Sequence, residues 1–207
     1  MKTIDRIKKY YRNKHIDFYA SITGPLIMGT MHLVVTIKQF SWLTFNCCLF
    51  FYIYMAIKIF MSHLDKTGKK NNLFLVGAIS LVVLIIPMTV VMVETILERD
   101  APVYIFYWMI YLYATYGTVK FIMAIRARRR ARKSGDVFAG VMSWISLVTA
   151  AYTIQMMEFA LIATFDTGGS HSMFVMQFLT HGAILIFTVF VIIHMFVRFV
   201  KSKSIHR

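Results

Sequence analysis

Apolar residues along this chain come in long continuous runs, each bounded by charged or turn-forming residues. A helix needs roughly 20 such residues to cross a bilayer, whereas a spanning strand would be shorter and would alternate between lipid and lumen. The pattern predicts six spans, over 17–38, 42–62, 72–95, 102–125, 137–163 and 173–199. Pro25 and Pro87 fall inside spans and read as kinks, because neighbouring helices can satisfy the carbonyls that a proline leaves open. The expected fold class is all-α, a polytopic membrane bundle of six transmembrane helices.

Composition agrees with the pattern. At 58% apolar and 15% charged, the chain leaves no room for a sizeable soluble domain. The first run is too long and follows too long a charged lead for a cleaved signal peptide. Within 1–16, Ile4, Ile7 and Tyr11 recur at helical spacing among lysines and arginines. That segment is expected to lie on the membrane surface as a basic amphipathic element. The transmembrane domain then covers 17–199, and 200–207 is a basic cytoplasmic tail.

Charge sets the orientation. The net charge is +14, and nineteen of the 23 Lys and Arg fall in Lys2 to Lys14, Lys66 to Lys70, Arg126 to Lys133 and Arg198 to Arg207. The alternate connections carry Lys38, Arg99 or, in FDTGGSHS, no basic residue. The positive-inside rule puts both termini in the cytoplasm. RARRRARK has no aromatic-rich reader beside it, so it is taken as an anchor meeting anionic headgroups rather than nucleic acid. Its arginines are consecutive and outside a span, unlike those of a voltage sensor. The Lys-, Ile-, Met- and Asn-flavoured composition suggests a bacterial cytoplasmic membrane.

The spans also repeat. AIKIFM, TVKFIM and IIHMFV end the even spans and place Lys58, Lys120 and His194 in equivalent positions. Tyr54, Tyr116 and Phe190 precede them by four. DFYAS, NLFLV and DVFAG open the odd spans, and counting on by 22 lands on Gln39, Glu94 and Glu158. Three repeated helical hairpins, 17–62, 72–125 and 137–199, are therefore expected.

Candidate chemistry comes from the few polar residues inside the spans. Glu158 is the lone charge in AAYTIQMMEFALIATF. The small residues Ala139, Ser143, Ser146, Ala150 and Thr153 form a seam adjoining its face, which argues that it points into the bundle. An acid held there binds a cation, a proton or a cationic substrate group. It also lies about 30 Å along the helix from the start of its span, where headgroups could solvate it. Glu94 is its counterpart. Tyr113, Tyr116, Gly117 and Lys120 share one face of the fourth span, and either line a cavity or pack through interhelical hydrogen bonds. Lys58 and Lys120 lie near enough to their helix ends to snorkel.

His32 and His181 come at similar depth and could ligate a b-type haem. His194 is turned about 140° from His181 and completes no second pair. Cys47 and Cys48 are neighbours that cannot bridge each other within a helix. No HExxH, GxSxG or paired intramembrane aspartates are present, which disfavours an enzyme.

These readings converge on a small transporter or permease-like protein that takes a small molecule or ion between its helices. Glu158, Glu94, His32, His181, Tyr116 and Lys120 are its candidate ligand-binding residues. A non-catalytic subunit or scaffold, bound to a membrane protein partner, is the alternative, and a haem redox protein the third.

Overall fold

In the computed structural model, residues 21–38, 40, 42–67, 72–97, 107–165 and 171–205 are described. They form six helices and, among the described residues, no strand: α1 over 21–38, α2 Trp42–Lys66, α3 Leu73–Leu97, α4 Tyr107–Ser134, α5 Val137–Phe165 and α6 His171–Ile205. Each helix occupies one of the apolar runs. The amphipathic segment 1–16 lies outside the described residues, as do 98–106 and 166–170.

Four stretches are long and apolar enough to cross a membrane: Trp42–Lys66, Leu73–Val91, Val137–Glu158 and Val175–Ser202. The other two helices are more polar for visible reasons. α1 holds Gly24, Pro25, Gly29, His32 and three threonines; α4 holds Tyr107, Tyr111, Tyr113 and Tyr116 before Lys120. Large apolar side chains face outward, with Ile37 75% and Ile186 73% exposed. Such an exterior, with four helices of this length and composition, is compatible with an integral membrane protein.

The helices outrun the apolar runs that define them. RARRRARK continues α4 to Ser134, since alanine, arginine and lysine are all good helix formers. The stop is Gly135, whose φ of 66° only glycine adopts cheaply and whose N–H reaches Ala131 O at 3.2 Å. Asp136 then caps α5, its Oδ1 accepting the Phe138 N–H at 3.1 Å. α2 runs on past residue 62 to Lys66. α6 takes the basic tail with it as far as Ile205. Pro87 is accommodated within α3.

α1 leans between α2 and α4. Its Thr36 hydroxyl meets that of Thr44 at 3.0 Å, and Thr30 meets the Tyr52 hydroxyl at 3.3 Å. Gly24 gives α4 its approach: a Cβ there would stand 2.5 Å from the Tyr116 ring. α4 packs along α5, α3 packs on α2, α6 and α5, and α5 also meets α6 and α2. Among the described residues α3 barely touches α4, so the second proposed hairpin is not a packed pair. Phe50, Phe51, Leu81, Val148, Tyr152, Val191 and Met195 fill the centre. The small seam of α5 is packed as expected, with Ser143, Ala150 and Thr153 buried. Cys47 and Cys48 are buried and in no disulfide among the described residues, and the Cys47 thiol lies 3.3 Å from Met156 Sδ.

Where α3 crosses α5 and α6, a Cβ on Gly77 would run into Val141 Cγ1 and stand 3.1 Å from Met195 Sδ. Val141 and Met195 are both fully buried, so neither can swing aside. Gly77→Ala is expected to cost about 1–3 kcal/mol by overpacking. Gly140→Ala meets nothing within 4 Å and is expected to be neutral or stabilising by up to about 1 kcal/mol. Thermal unfolding of the two variants in detergent gives both numbers.

Candidate functional site

The most unusual chemistry in the bundle is a pair of lysines toward the end where α2, α4 and α6 finish. Lys58 is 8% exposed. Its ammonium donates to the Ser21 carbonyl at 2.7 Å. Local sequence explains that bond. The residue four beyond Ser21 is Pro25, which has no N–H to give, so α1 leaves this carbonyl open and α2 supplies the donor. Lys58 also lies 4.7 Å from the centroid of the Tyr54 ring, one turn back on its own helix.

Lys120 arrives from α4 onto the same ring. Its Nζ is 4.3 Å from the Tyr54 centroid, 5.2 Å from Tyr116 and 5.9 Å from Phe51. Three aromatic faces turned to one ammonium make a cation–π cage. The ammonium also donates to Thr153 Oγ1 at 3.3 Å, while the Thr153 hydroxyl gives its own proton to Thr149 O at 2.7 Å. Tyr54 is 1% exposed, and its hydroxyl faces Thr149 and Ser146. Four helices thus meet around the two lysines, and among the described residues no carboxylate approaches either of them. Two ammoniums carry six donors; the bonds to Ser21 and Thr153 use two of them. The arrangement can accept an anionic group.

The two histidines occupy separate seams. His32 gives its Nδ1 proton to Met28 O at 2.9 Å, and Tyr113 O–H donates to Nε2. His181 gives its Nε2 proton to Met88 O at 2.8 Å, and Gln155 Nε2 donates to Nδ1. Both rings therefore have both nitrogens in protein hydrogen bonds. Phe51, Phe50 and Tyr152 form the chain of ring contacts between them. This leaves neither imidazole presenting a nitrogen to a shared haem iron. Among the described residues no group of three or more His, Cys, Asp or Glu could hold a metal.

Glu158 is half-buried on the α5–α6 seam, where Thr180 donates to its Oε1 at 3.4 Å. One turn along the same seam lies the His181–Gln155 pair. Of the residues singled out by sequence, the structure brings Lys120 and Tyr116 together, and gives Glu158 and His181 separate partners between α5 and α6. His32 stands apart with Tyr113. Nothing brings Glu158 to the lysines. The Glu94 side chain lies outside the described residues. Tyr113, Tyr116, Gly117 and Lys120 do share a face, and it is a packed one, against α1, α2 and α5.

Sequence reasoning left out Tyr54, Lys58, Thr153 and Gln155 as site residues. The first two carried a signal, the tyrosine–lysine spacing shared with Tyr116 and Lys120. The Ser21–Pro25 spacing marked an open carbonyl. Thr153 and Gln155 carried none beyond being polar in a span. The chain matches no protein-family model, and no curated protein or solved structure is similar to it.

Proposed function

We propose that this is a six-span transporter or permease-like protein, with both termini cytoplasmic, whose site between the helices takes an anionic group on Lys58 and Lys120. The observation that carries the reading is the pair of ammoniums on the Tyr54 ring with no carboxylate beside them among the described residues. Burying a charge without a partner is expensive, and charges kept inside membrane bundles ordinarily serve a substrate or ion. Among the described residues, an anion is the partner this pair lacks. The reading centres on the lysines rather than on Glu158, which sits in a different seam.

The six-span topology rests on the length of the helices and on the basic residues grouped at one end of them. Ring contacts recur near the basic ends of α2, α4 and α6. Lys58 lies over Tyr54 and Lys120 over Tyr116, while His194 stacks on Phe190 at 6.5 Å. All three are the pairs four residues apart that the sequence comparison equates.

The test is thermal unfolding of the purified protein with phosphate, sulfate, succinate or chloride, each as the sodium salt. At least one multivalent anion is expected to raise the midpoint by several degrees over equal ionic strength of chloride. Uptake of that anion into proteoliposomes then follows. If all four salts act alike, and no anion is taken up, the reading fails.

A further inference from the structure

A second cluster of cations lies where α4 and α6 end and α5 begins, and the lysine site does not use it. Arg128 lays its guanidinium over the Trp144 ring, with Cζ 4.0 Å from the centroid. Trp144 also meets the His194 ring at 5.6 Å, so α4, α5 and α6 join at this indole. Arg132 stands one turn beyond Arg128, and Arg198 one turn beyond His194. Burial, then the charges of Arg132 and Arg198, pull the Arg128 guanidinium below the usual arginine range.

Among the described residues, the three helices that meet here carry no acid at this end. α4 and α6 contain no Asp or Glu, and the only one in α5 is Glu158, toward its far end. Asp136 precedes α5 at this end, and its carboxylate is committed to the Phe138 N–H. Arginine is the side chain whose planar fork matches phosphate oxygens, and stacking on an indole holds that fork in place. Tryptophan beside it belongs at headgroup depth.

The surroundings decide between a free phosphate and one attached to a lipid. Next to the cluster, α6 exposes Phe190, Phe196, Val197 and Val200, and α4 exposes Phe121, Ile122 and Met123. A headgroup held by the arginines would lay its acyl chains along these residues, which a soluble anion would leave uncovered. We propose that Arg128, Arg132 and Arg198, braced by Trp144, bind the phosphate of an anionic phospholipid at the basic ends of α4, α5 and α6.

The experiment is native mass spectrometry of delipidated protein titrated with phosphatidylglycerol or phosphatidylcholine. The wild type is expected to retain phosphatidylglycerol at least tenfold more than phosphatidylcholine. Arg128→Gln and Arg198→Gln should each reduce that retention about tenfold. Arg198 is exposed, so its variant tests the site without disturbing the core. The control is Arg129→Gln/Arg130→Gln, which removes exposed charges from the same run and should retain the lipid. Equal loss in the control would reduce the effect to surface charge and overturn the proposal. Displacement of the lipid by millimolar inorganic phosphate would also overturn it, in favour of a soluble-anion site.

Discussion

Lys120→Met is expected to leave the protein at least as stable as the wild type, by on the order of 1 kcal/mol, and to abolish its response to multivalent anions. The substitution strands nothing. Thr153 keeps its bond to Thr149 O at 2.7 Å. The three rings that faced the ammonium receive a thioether, which aromatic edges also favour. Lys58 loses a like charge that shares the Tyr54 ring with it. A substrate site held at the expense of stability has this signature: the fold gains and binding is lost.

Tyr54→Leu is the contrasting variant. It removes a buried ring, the π-face common to both ammoniums and the hydroxyl that faces Thr149 and Ser146. The lost burial alone costs about 3–5 kcal/mol by comparison with other large aromatic truncations. Detergent unfolding at fixed pH, with and without sodium phosphate, measures all of this. A Lys120→Met protein as unstable as Tyr54→Leu would mean that the ammonium is a structural donor, and the anion site would fall with it.

The helices were readable because continuous apolar runs leave a chain in lipid few other ways to satisfy its backbone. Their ends were less so. Arg126 to Lys133 reads as a loop by hydropathy, yet nothing in it opposes a helix, and the stop is a backbone property of Gly135. The four apolar spans that stand out by composition exclude α4, whose tyrosines lower its hydropathy while building the site. Periodicity gave Tyr116 and Lys120 one face correctly. It could not bring Lys58 to them, because that depends on how α2 and α4 rotate against α1 and α5. Glu158 drew attention as a lone charge, but a half-buried carboxyl with a threonine partner is a modest feature. His32 and His181 look alike in sequence, and only their neighbours show that each is closed into its own seam.

His181→Leu is expected to destabilise by about 1–3 kcal/mol, and Gln155→Leu in the same chain to restore most of that. The argument rests on what each change leaves behind. His181 joins α5 to α3, accepting from Gln155 and donating to Met88 O at 2.8 Å. Removing the imidazole leaves the Gln155 amide nitrogen unbonded in a position 1% exposed, beside an Oε1 that already has no partner among the described residues. Gln155→Leu alone costs less, since the His181 bond to Met88 O survives it. The double variant has neither polar group to desolvate and approaches an ordinary apolar seam. Unfolding midpoints of the two single variants and the double give a coupling on the order of 1 kcal/mol, near the upper range found between membrane helices. Simple additivity would mean that the pair does not hold α3, α5 and α6 together. The anion response of the double variant should match the wild type, because Lys58, Tyr54 and Lys120 lie in the other seam.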